Sequence, residues 1–250
     1  MRRVAILAAS GRELAPAREA LGTVQSERLG AFAREVGRVG GIEVHLVNTG
    51  MGAVSAFAAA EAVLTEAAVD AIVSTGYAGA LGGAGIGEVI VGSEVCDWTN
   101  EPPRTVYRSD AGLLATAREA VGPARTAWSQ GAVVTVDKVV WRAAEKQALG
   151  KVSGAIAVDM ESAAIARAAA FRNETFLLVR AVSDGAGDDL PMDFNLWLTS
   201  GGRVRALAQL VRRPAILWSL FRMKRQVEQG SQNLGRFFQA WWRVLGREHT

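Results

Sequence analysis

Short apolar runs alternate with helix-like segments along most of the chain. The apolar runs predict strands at 2–9, 42–50, 70–81, 87–98, 126–137, 155–158 and 175–184. Ala-rich or amphipathic segments predict helices at 13–21, 53–67 and 110–121. Buried strands separated by helices are typical of a mostly parallel sheet with helices on both faces. The predicted fold class is therefore α/β, a three-layer α/β/α arrangement around a central mixed, mostly parallel sheet.

Polar and glycine residues collect where five of the predicted strands end. These strand ends lie at 10–13, 49–52, 75–79, 159–161 and 183–184. Ligands of open α/β sheets bind at the carboxyl ends of the strands. The convergence of five such ends predicts a small-molecule site at this edge of the sheet.

Several function classes are excluded by missing motifs. The chain has no G-x-G-x-x-G fingerprint, no Walker A sequence and no G-x-S-x-G elbow. The two histidines lie far apart, and His45 falls inside a strand, so we expect it to be structural and predict no metal site. The single Cys96 excludes a disulfide framework and favours a cytoplasmic location. No apolar run is long enough for a membrane span, and the N-terminal "MRRVAILAAS" predicts a strand rather than a signal peptide.

The candidate chemistry therefore rests on carboxylates. Glu13, Glu161 and Asp184 each follow a predicted strand, next to glycine-lined turns. Acids are also favoured at helix N-termini by capping and by the helix dipole, and this is the preferred explanation for Asp159. For Glu161 and Asp184, the edge of the sheet that they share with glycine-lined turns favours a functional role.

Four motifs now carry a resemblance. "VDMESAAIA" is followed about twenty residues later by "VRAVSD", with "VNTGMG" and "STGYAGAL" upstream. Together they resemble the purine nucleoside phosphorylase/nucleosidase superfamily over residues 3–195, and its methylthioadenosine/S-adenosylhomocysteine nucleosidase branch most closely. The resemblance implies an enzyme that breaks an N-glycosidic bond through an oxocarbenium-like ribose and needs no cofactor.

The resemblance also implies roles for particular residues. Asp184 matches the acid that protonates N7 of the leaving adenine, and Glu161 matches the glutamate that binds the ribose 2′- and 3′-hydroxyls. Met160 lies beside the sugar, and Glu13 matches the base that activates water. The remaining substrate-binding candidates are Val140 at the adenine edge, Met51 and Phe194 at the 5′ substituent, and Val139, Ser183, Tyr77 and Gly79.

Three departures from the family pattern concern the nucleophile and the 5′ substituent. Tyr77 replaces a small hydroxyl residue, Val139 replaces an aromatic that stacks on the base, and Ser10 replaces a larger apolar residue. Glu13 favours water as the nucleophile. Arg12 beside it leaves phosphate open as a co-substrate, in which case the reaction would be phosphorolysis. A nucleoside-binding module without turnover is a third alternative.

Charge divides the chain unevenly and suggests a boundary near residue 200. The last fifty residues hold ten Lys/Arg against two Glu, a net charge of +8. Since the whole chain carries +3, residues 1–200 carry −5. We therefore predict a nucleosidase-like domain at 1–200 and a basic amphipathic helical extension at 201–250.

Within this extension, apolar residues recur at helical spacing and form one stripe. Its members are Leu234, Phe237, Phe238, Trp241, Trp242 and Leu245. Such a stripe packs on the protein's own body or on a partner subunit, or else it binds a membrane surface through 203–247. Bulky aromatic pairs argue against nucleic acid as the partner.

A basic amphipathic extension on an adenosine-cleaving domain suggests a lipid-linked substrate. The combination resembles the hopanoid-associated members of the superfamily, for which the resemblance implies adenosylhopane as substrate and a peripheral position on the inner membrane face. The resemblance further implies a homodimer.

Overall fold

The computed structural model describes residues 1–99, 104–195 and 215–247. The strands are β1 Arg3–Ala8, β2 Val24–Leu29, β3 Phe32–Val39, β4 Ile42–Asn48, β5 Ala71–Ser74, β6 Tyr77–Ala80, β7 Val89–Asp97, β8 Thr105–Arg108, β9 Trp128–Thr135, β10 Ala157–Asp159 and β11 Phe176–Asp184. The helices are α1 Gly11–Glu19, α2 Ala53–Glu66, α3 Ala111–Ala124, α4 Ala143–Ser153, α5 Ser162–Phe171 and α6 Ala215–Arg247.

The eleven strands of the described residues form one mixed sheet. Its order is β2-β3-β4-β1-β5-β11-β6-β10-β9-β7-β8, with an additional pairing between β11 and β7. The central neighbours β4–β1–β5–β11–β6 are parallel, whereas the β2–β3 hairpin and β8 add antiparallel edges. Inside the sheet, β10 is antiparallel to β6 and β7 is antiparallel to β11. Helices α1, α3 and α6 cover one face, and α2 and α5 cover the other. The predicted three-layer α/β/α fold is confirmed.

The pattern of apolar residues predicted most strands of the sheet but not those at its edges. The hairpin of β2 and β3 was not predicted, because its alternating residues are largely charged and lie at a solvent-facing edge. The run at 70–81, predicted as a strand that leads into a glycine turn, contains a second short strand after that turn. It is divided into β5 and β6 at Thr75 and Gly76, and the break lets β6 pair with β11 and β10.

The aromatic stripe of the extension lies in the core. Helix α6 packs against α1, α3 and β11, and all six stripe residues are at most 2% exposed. The indole N–H of Trp241 also donates a 3.0 Å hydrogen bond to the hydroxyl of Thr116. Of the interpretations of the stripe, packing on the protein's own body is the one that the structure supports, and a membrane-facing role for 234–245 is wrong. The predicted boundary near residue 200 lies outside the described residues.

No helix among the described residues is long and apolar enough to cross a membrane.

Candidate active site

The ends of β6, β10 and β11 border a cavity of about 300 Å³. Its lining brings together nine of the eleven predicted site residues: Tyr77, Gly79, Val139, Val140, Met160, Glu161, Ser183, Asp184 and Phe194. Residues that the sequence did not point to complete the walls, among them Leu190 and, from α6, Met223 and Val227. The predicted convergence of strand ends therefore forms a mostly apolar pocket that contains three carboxylates, those of Asp159, Glu161 and Asp184.

Asp184 ends β11 and is held from both sides. Its Oδ1 accepts a 2.6 Å hydrogen bond from the hydroxyl of Ser183, and its Oδ2 is ion-paired with the ammonium of Lys146. Gly79 lies against the same carboxyl group, since a Cβ at this position would be 3.1 Å from Oδ2. The carboxyl group is thus held in one orientation at the end of the pocket.

Lys146, on α4, is a site residue that the sequence did not reveal. Its side chain is fully buried, and Nζ donates to Asp184 and to the carbonyl oxygens of Gly185 at 3.1 Å and Asp188 at 3.0 Å. All three ammonium hydrogens therefore have acceptors, as a buried lysine requires. A lysine in a charged helix normally indicates a solvated surface, so no local signal distinguished it.

Glu161 lies at the junction of β10 and α5. Its Oε1 accepts a 2.9 Å hydrogen bond from the backbone N–H of Gly52, which has a φ of 90° that favours glycine. Burial, and next the negative charge of Asp159, raise the pKa of Glu161 to about 7. The hydrogen bond from Gly52 and the charge of Arg180 oppose this increase. The residue can therefore change protonation state near neutral pH.

Asp159 has a structural role in the interior. It accepts a 3.3 Å hydrogen bond from the N–H of Ser162, which partly agrees with the predicted capping role. Its main contacts are different: Oδ2 accepts from Nε of Arg180 at 2.9 Å, and Oδ1 accepts from the hydroxyl of Thr135 at 2.7 Å. The residue is the buried counterion of Arg180.

Arg180, inside the apolar strand β11, is the second functional candidate that sequence reasoning missed. Nη2 donates to the hydroxyls of Ser74 and Ser162 at 2.8 and 2.7 Å. Nη1 is buried and has no hydrogen-bond partner among the described residues. An arginine in the middle of an otherwise apolar strand was the available signal, because a buried guanidinium needs a partner.

Glu13 and Arg180 face each other in front of Gly76. A Cβ on Gly76 would lie 2.7 Å from Oε1 of Glu13 and 3.4 Å from Nη1 of Arg180. Glu13 is in the first turn of α1, where Oε2 accepts from the hydroxyl of Ser10 at 2.9 Å and Oε1 accepts from the N–H of Tyr77 at 3.3 Å. Ser10, predicted near the 5′ substituent, instead positions this carboxylate. A fixed acceptor and an unpaired donor thus converge on one small space.

Tyr77 connects that space to α6. Its side chain is partly buried, and its hydroxyl is hydrogen-bonded to the side chain of Ser231. Burial raises the pKa of Tyr77, the hydrogen bond with Ser231 lowers it, and the charge of Glu13 raises it further. The tyrosine is therefore a neutral wall residue at neutral pH.

The remaining predicted residues lie in two places. The backbone N–H and C=O of Val139 are both bonded to the side chain of Asn195, at 2.8 and 2.9 Å, so reading of a base by this loop would depend on Val140. Met51 is 70% exposed and lies outside the main cavity, in an adjoining opening that also contains Met160. Its predicted contact with the 5′ substituent stays a prediction.

Within residues 1–99, 104–195 and 215–247, no group of three or more His, Cys, Asp or Glu is arranged to hold a metal ion.

Comparison with known proteins places the same span in one family. Residues 3–212 match the model of the Phosphorylase superfamily. The 5′-methylthioadenosine/S-adenosylhomocysteine nucleosidase of Maridesulfovibrio salexigens is 30% identical over 202 residues, covering 75% of this chain and 87% of the relative. The nucleosidase of the same description from Chromohalobacter salexigens is 28% identical over 213 residues, covering 79% and 91%.

Solved structures share the fold across nearly the whole chain. The 5′-methylthioadenosine/S-adenosylhomocysteine nucleosidase of Neisseria meningitidis, in complex with methylthio-immucillin-A, has a TM-score of 0.73 at 24% identity and covers 96% of this chain and 99% of its own. The futalosine hydrolase of Helicobacter pylori has a TM-score of 0.77 at 18% identity, with 96% and 97% covered. At these identities the likeness shows the fold alone.

Proposed function

The chain belongs to the phosphorylase superfamily and is an N-glycosidase of that superfamily, and we propose that it releases adenine from an adenosine derivative by attack of water. The observation that carries the proposal is the pair formed by Glu13 and the unpaired Nη1 of Arg180 in front of Gly76. The pair lies beside Tyr77, which lines the cavity that holds Asp184 and Glu161, although neither Glu13 nor Arg180 is itself a lining residue of that cavity. A nucleophile, an acid and a sugar-binding carboxylate are then available around one substrate.

In this mechanism the base binds at Asp184 and the sugar hydroxyls donate to Glu161. Asp184, which is ion-paired with Lys146 in the free protein, must first take up a proton, and it then passes this proton to N7 of adenine, so that the bonding pair of the glycosidic bond leaves with a neutral base. Ionised Glu161 stabilises the positive charge that develops on the ribose. Glu13 accepts the proton of the attacking water while Arg180 orients its oxygen.

The same pair supports water over phosphate. A phosphate dianion would approach a carboxylate and find donors from only one guanidinium nitrogen, whereas a water molecule can donate to the carboxylate and accept from that nitrogen. Arg12, which left phosphorolysis open, is exposed. A binding module without turnover fits less well, because it would not need a base beside this donor.

Product analysis tests the reaction. We expect the full-length protein to release adenine and free ribose derivative from methylthioadenosine at the same rate with and without phosphate. Formation of a ribose 1-phosphate would contradict hydrolysis. Asp184→Asn should lower kcat by at least about 100-fold, because general acid catalysis contributes 10²–10⁴-fold. The matched variant Glu19→Gln, at an exposed position of α1, should keep full activity.

For the substrate, we propose adenosine with an apolar 5′ extension, with lipid-linked adenosylhopane of hopanoid biosynthesis as the specific candidate. The apolar wall residues Leu190, Phe194, Met223 and Val227 support an extension of this kind. Methylthioadenosine/S-adenosylhomocysteine nucleosidase activity is the alternative, and the curated relatives support it about as well.

Peripheral membrane binding on the cytoplasmic side is proposed for the N-terminal half of α6 alone. Phe221 is 57% exposed there, and Arg222, Lys224 and Arg225 are exposed beside it. We expect Arg222→Gln/Arg225→Gln to reduce sedimentation with vesicles of phosphatidylglycerol and phosphatidylcholine. The control Arg236→Gln/Arg243→Gln removes the same charge from the other half of the helix, and equal losses in both variants would contradict the proposal. A homodimer is also proposed, and sedimentation equilibrium tests it.

A further inference from the structure

Helix α6 forms one wall of the cavity, although it begins about thirty residues after the last strand. Its position is fixed by close contacts with β11. A Cβ on Gly230 would lie 3.2 Å from Cβ of Ala181, and the amide of Asn233 donates a 2.7 Å hydrogen bond to the carbonyl of Gly87. The buried C-terminal half of the helix anchors it further. The wall is therefore a rigid part of the fold.

One face of α6 runs along the cavity. Ser231, Val227 and Met223 are spaced by four residues and so lie above one another on this face. Ser231 is hydrogen-bonded to Tyr77, next to Glu13, while Val227 and Met223 line the cavity. Along α6, the wall is therefore polar next to Glu13 and becomes apolar with increasing distance from it.

The orientation of a bound nucleoside determines which of its substituents contacts this apolar wall. Its base is held at Asp184 and Val140, and its 2′- and 3′-hydroxyls at Glu161. The 5′ carbon is the remaining direction in which the substrate can extend. Leu190 and Phe194 line the cavity together with the α6 residues, and none of these four can pair with an ammonium or a carboxylate.

We infer that Met223 and Val227 determine specificity for the 5′ substituent, selecting an extended apolar group and rejecting a charged one. The inference rests on the proposed function and narrows its substrate class. Lys138 also lines the cavity and can pair with a carboxylate, but the ammonium of the amino-acid end of S-adenosylhomocysteine would be desolvated against this wall without a partner. An alkyl chain would instead bury apolar surface there.

A series of 5′-alkylthioadenosines from methyl to hexyl tests the inference with the full-length protein. For the wild type we expect kcat/KM to rise about fourfold per methylene until the wall is covered. S-adenosylhomocysteine should be at least about tenfold poorer than the butyl compound. In the near-isosteric polar variant Met223→Gln/Val227→Thr, the rise should fall below about twofold per methylene. In the apolar variant Met223→Leu/Val227→Ile it should persist.

The matched control is Lys224→Gln/Glu228→Thr, which alters the next positions along the helix at the same spacing. Both side chains are mostly exposed and form only a 3.6 Å ion pair, so the chain-length dependence should not change. Equal slopes in the wild type and in Met223→Gln/Val227→Thr would overturn the inference while leaving the nucleosidase intact. Absence of adenine release from every compound would instead contradict the proposed function.

Discussion

Replacing Trp241 by alanine tests whether the aromatic face of α6 belongs to the protein core. The indole is fully buried, stacks on Phe237 at a centroid distance of 6.0 Å, and donates to Thr116. Truncating a buried Trp costs about 3–5 kcal/mol, of which the lost hydrogen bond is about 1 kcal/mol. Thr116 still donates its own 2.9 Å hydrogen bond to the carbonyl of Leu113, so we expect a total loss near 4 kcal/mol.

Urea unfolding followed by circular dichroism measures this loss. In thermal unfolding, a loss of about 4 kcal/mol in the free energy of unfolding lowers Tm by about 8–16 °C for a chain of this length. Trp128→Ala is the matched control, because this indole is 39% exposed and should cost clearly less. The reasoning would be refuted if Trp241→Ala kept the stability of the wild type but lost binding to anionic vesicles.

Four further predictions concern Glu161, Gly76 and Lys146. In the proposed mechanism ionised Glu161 binds the ribose, so kcat/KM should decline below pH about 7, and the pH profile of Glu161→Gln should lack this decline. The raised pKa of Glu161 also means that the folded state binds the proton more tightly. Its contribution to stability is therefore complete below pH 4.5 and lost as pH rises through 7, so urea unfolding should show the wild type losing at most about 3 kcal/mol relative to Glu161→Gln. Gly76→Ala should reduce kcat by at least about 100-fold in the adenine-release assay, since φ is +135° and the new methyl group would meet Glu13; a variant with full activity would contradict this. Lys146→Met should cost about 3–5 kcal/mol in urea unfolding by leaving Asp184 unpaired, and Lys146→Met/Asp184→Asn should recover part of that loss; an equally unstable double variant would show that the ion pair is not the cause.

The sheet and its functional edge could be predicted because both depend on local chain patterns. Polar residues next to glycine turns follow both strands, so Glu161 and Asp184 could be assigned to a common pocket from their positions, although β10, which precedes Glu161, runs antiparallel to β6 and β11 runs parallel to it. The charged hairpin of β2 and β3 carried no such pattern, since a solvent-facing edge does not require apolar residues.

The partners of the charged residues could not be predicted from the chain. Lys146 and Asp184 form an ion pair although they are 38 positions apart in the sequence, and Arg180 and Asp159 are 21 positions apart. A lysine on a helix is normally solvated, and only the packing of α4 against the end of β11 removes water from this one. Desolvation is a property of the folded surroundings, and the burial of Glu161, together with the charge of Asp159, likewise raises its pKa to about 7.

The sequence by itself determined that the extension contains an amphipathic helix, because apolar residues recur at helical spacing from Leu234 to Leu245. It could not determine what covers that face, since a sheet, a partner and a lipid surface all satisfy the same hydrophobic period. The tertiary structure decided it: α1, α3 and β11 leave a groove that these side chains fill. The part of α6 before that groove is then held against the cavity, where Met223 and Val227 become its wall.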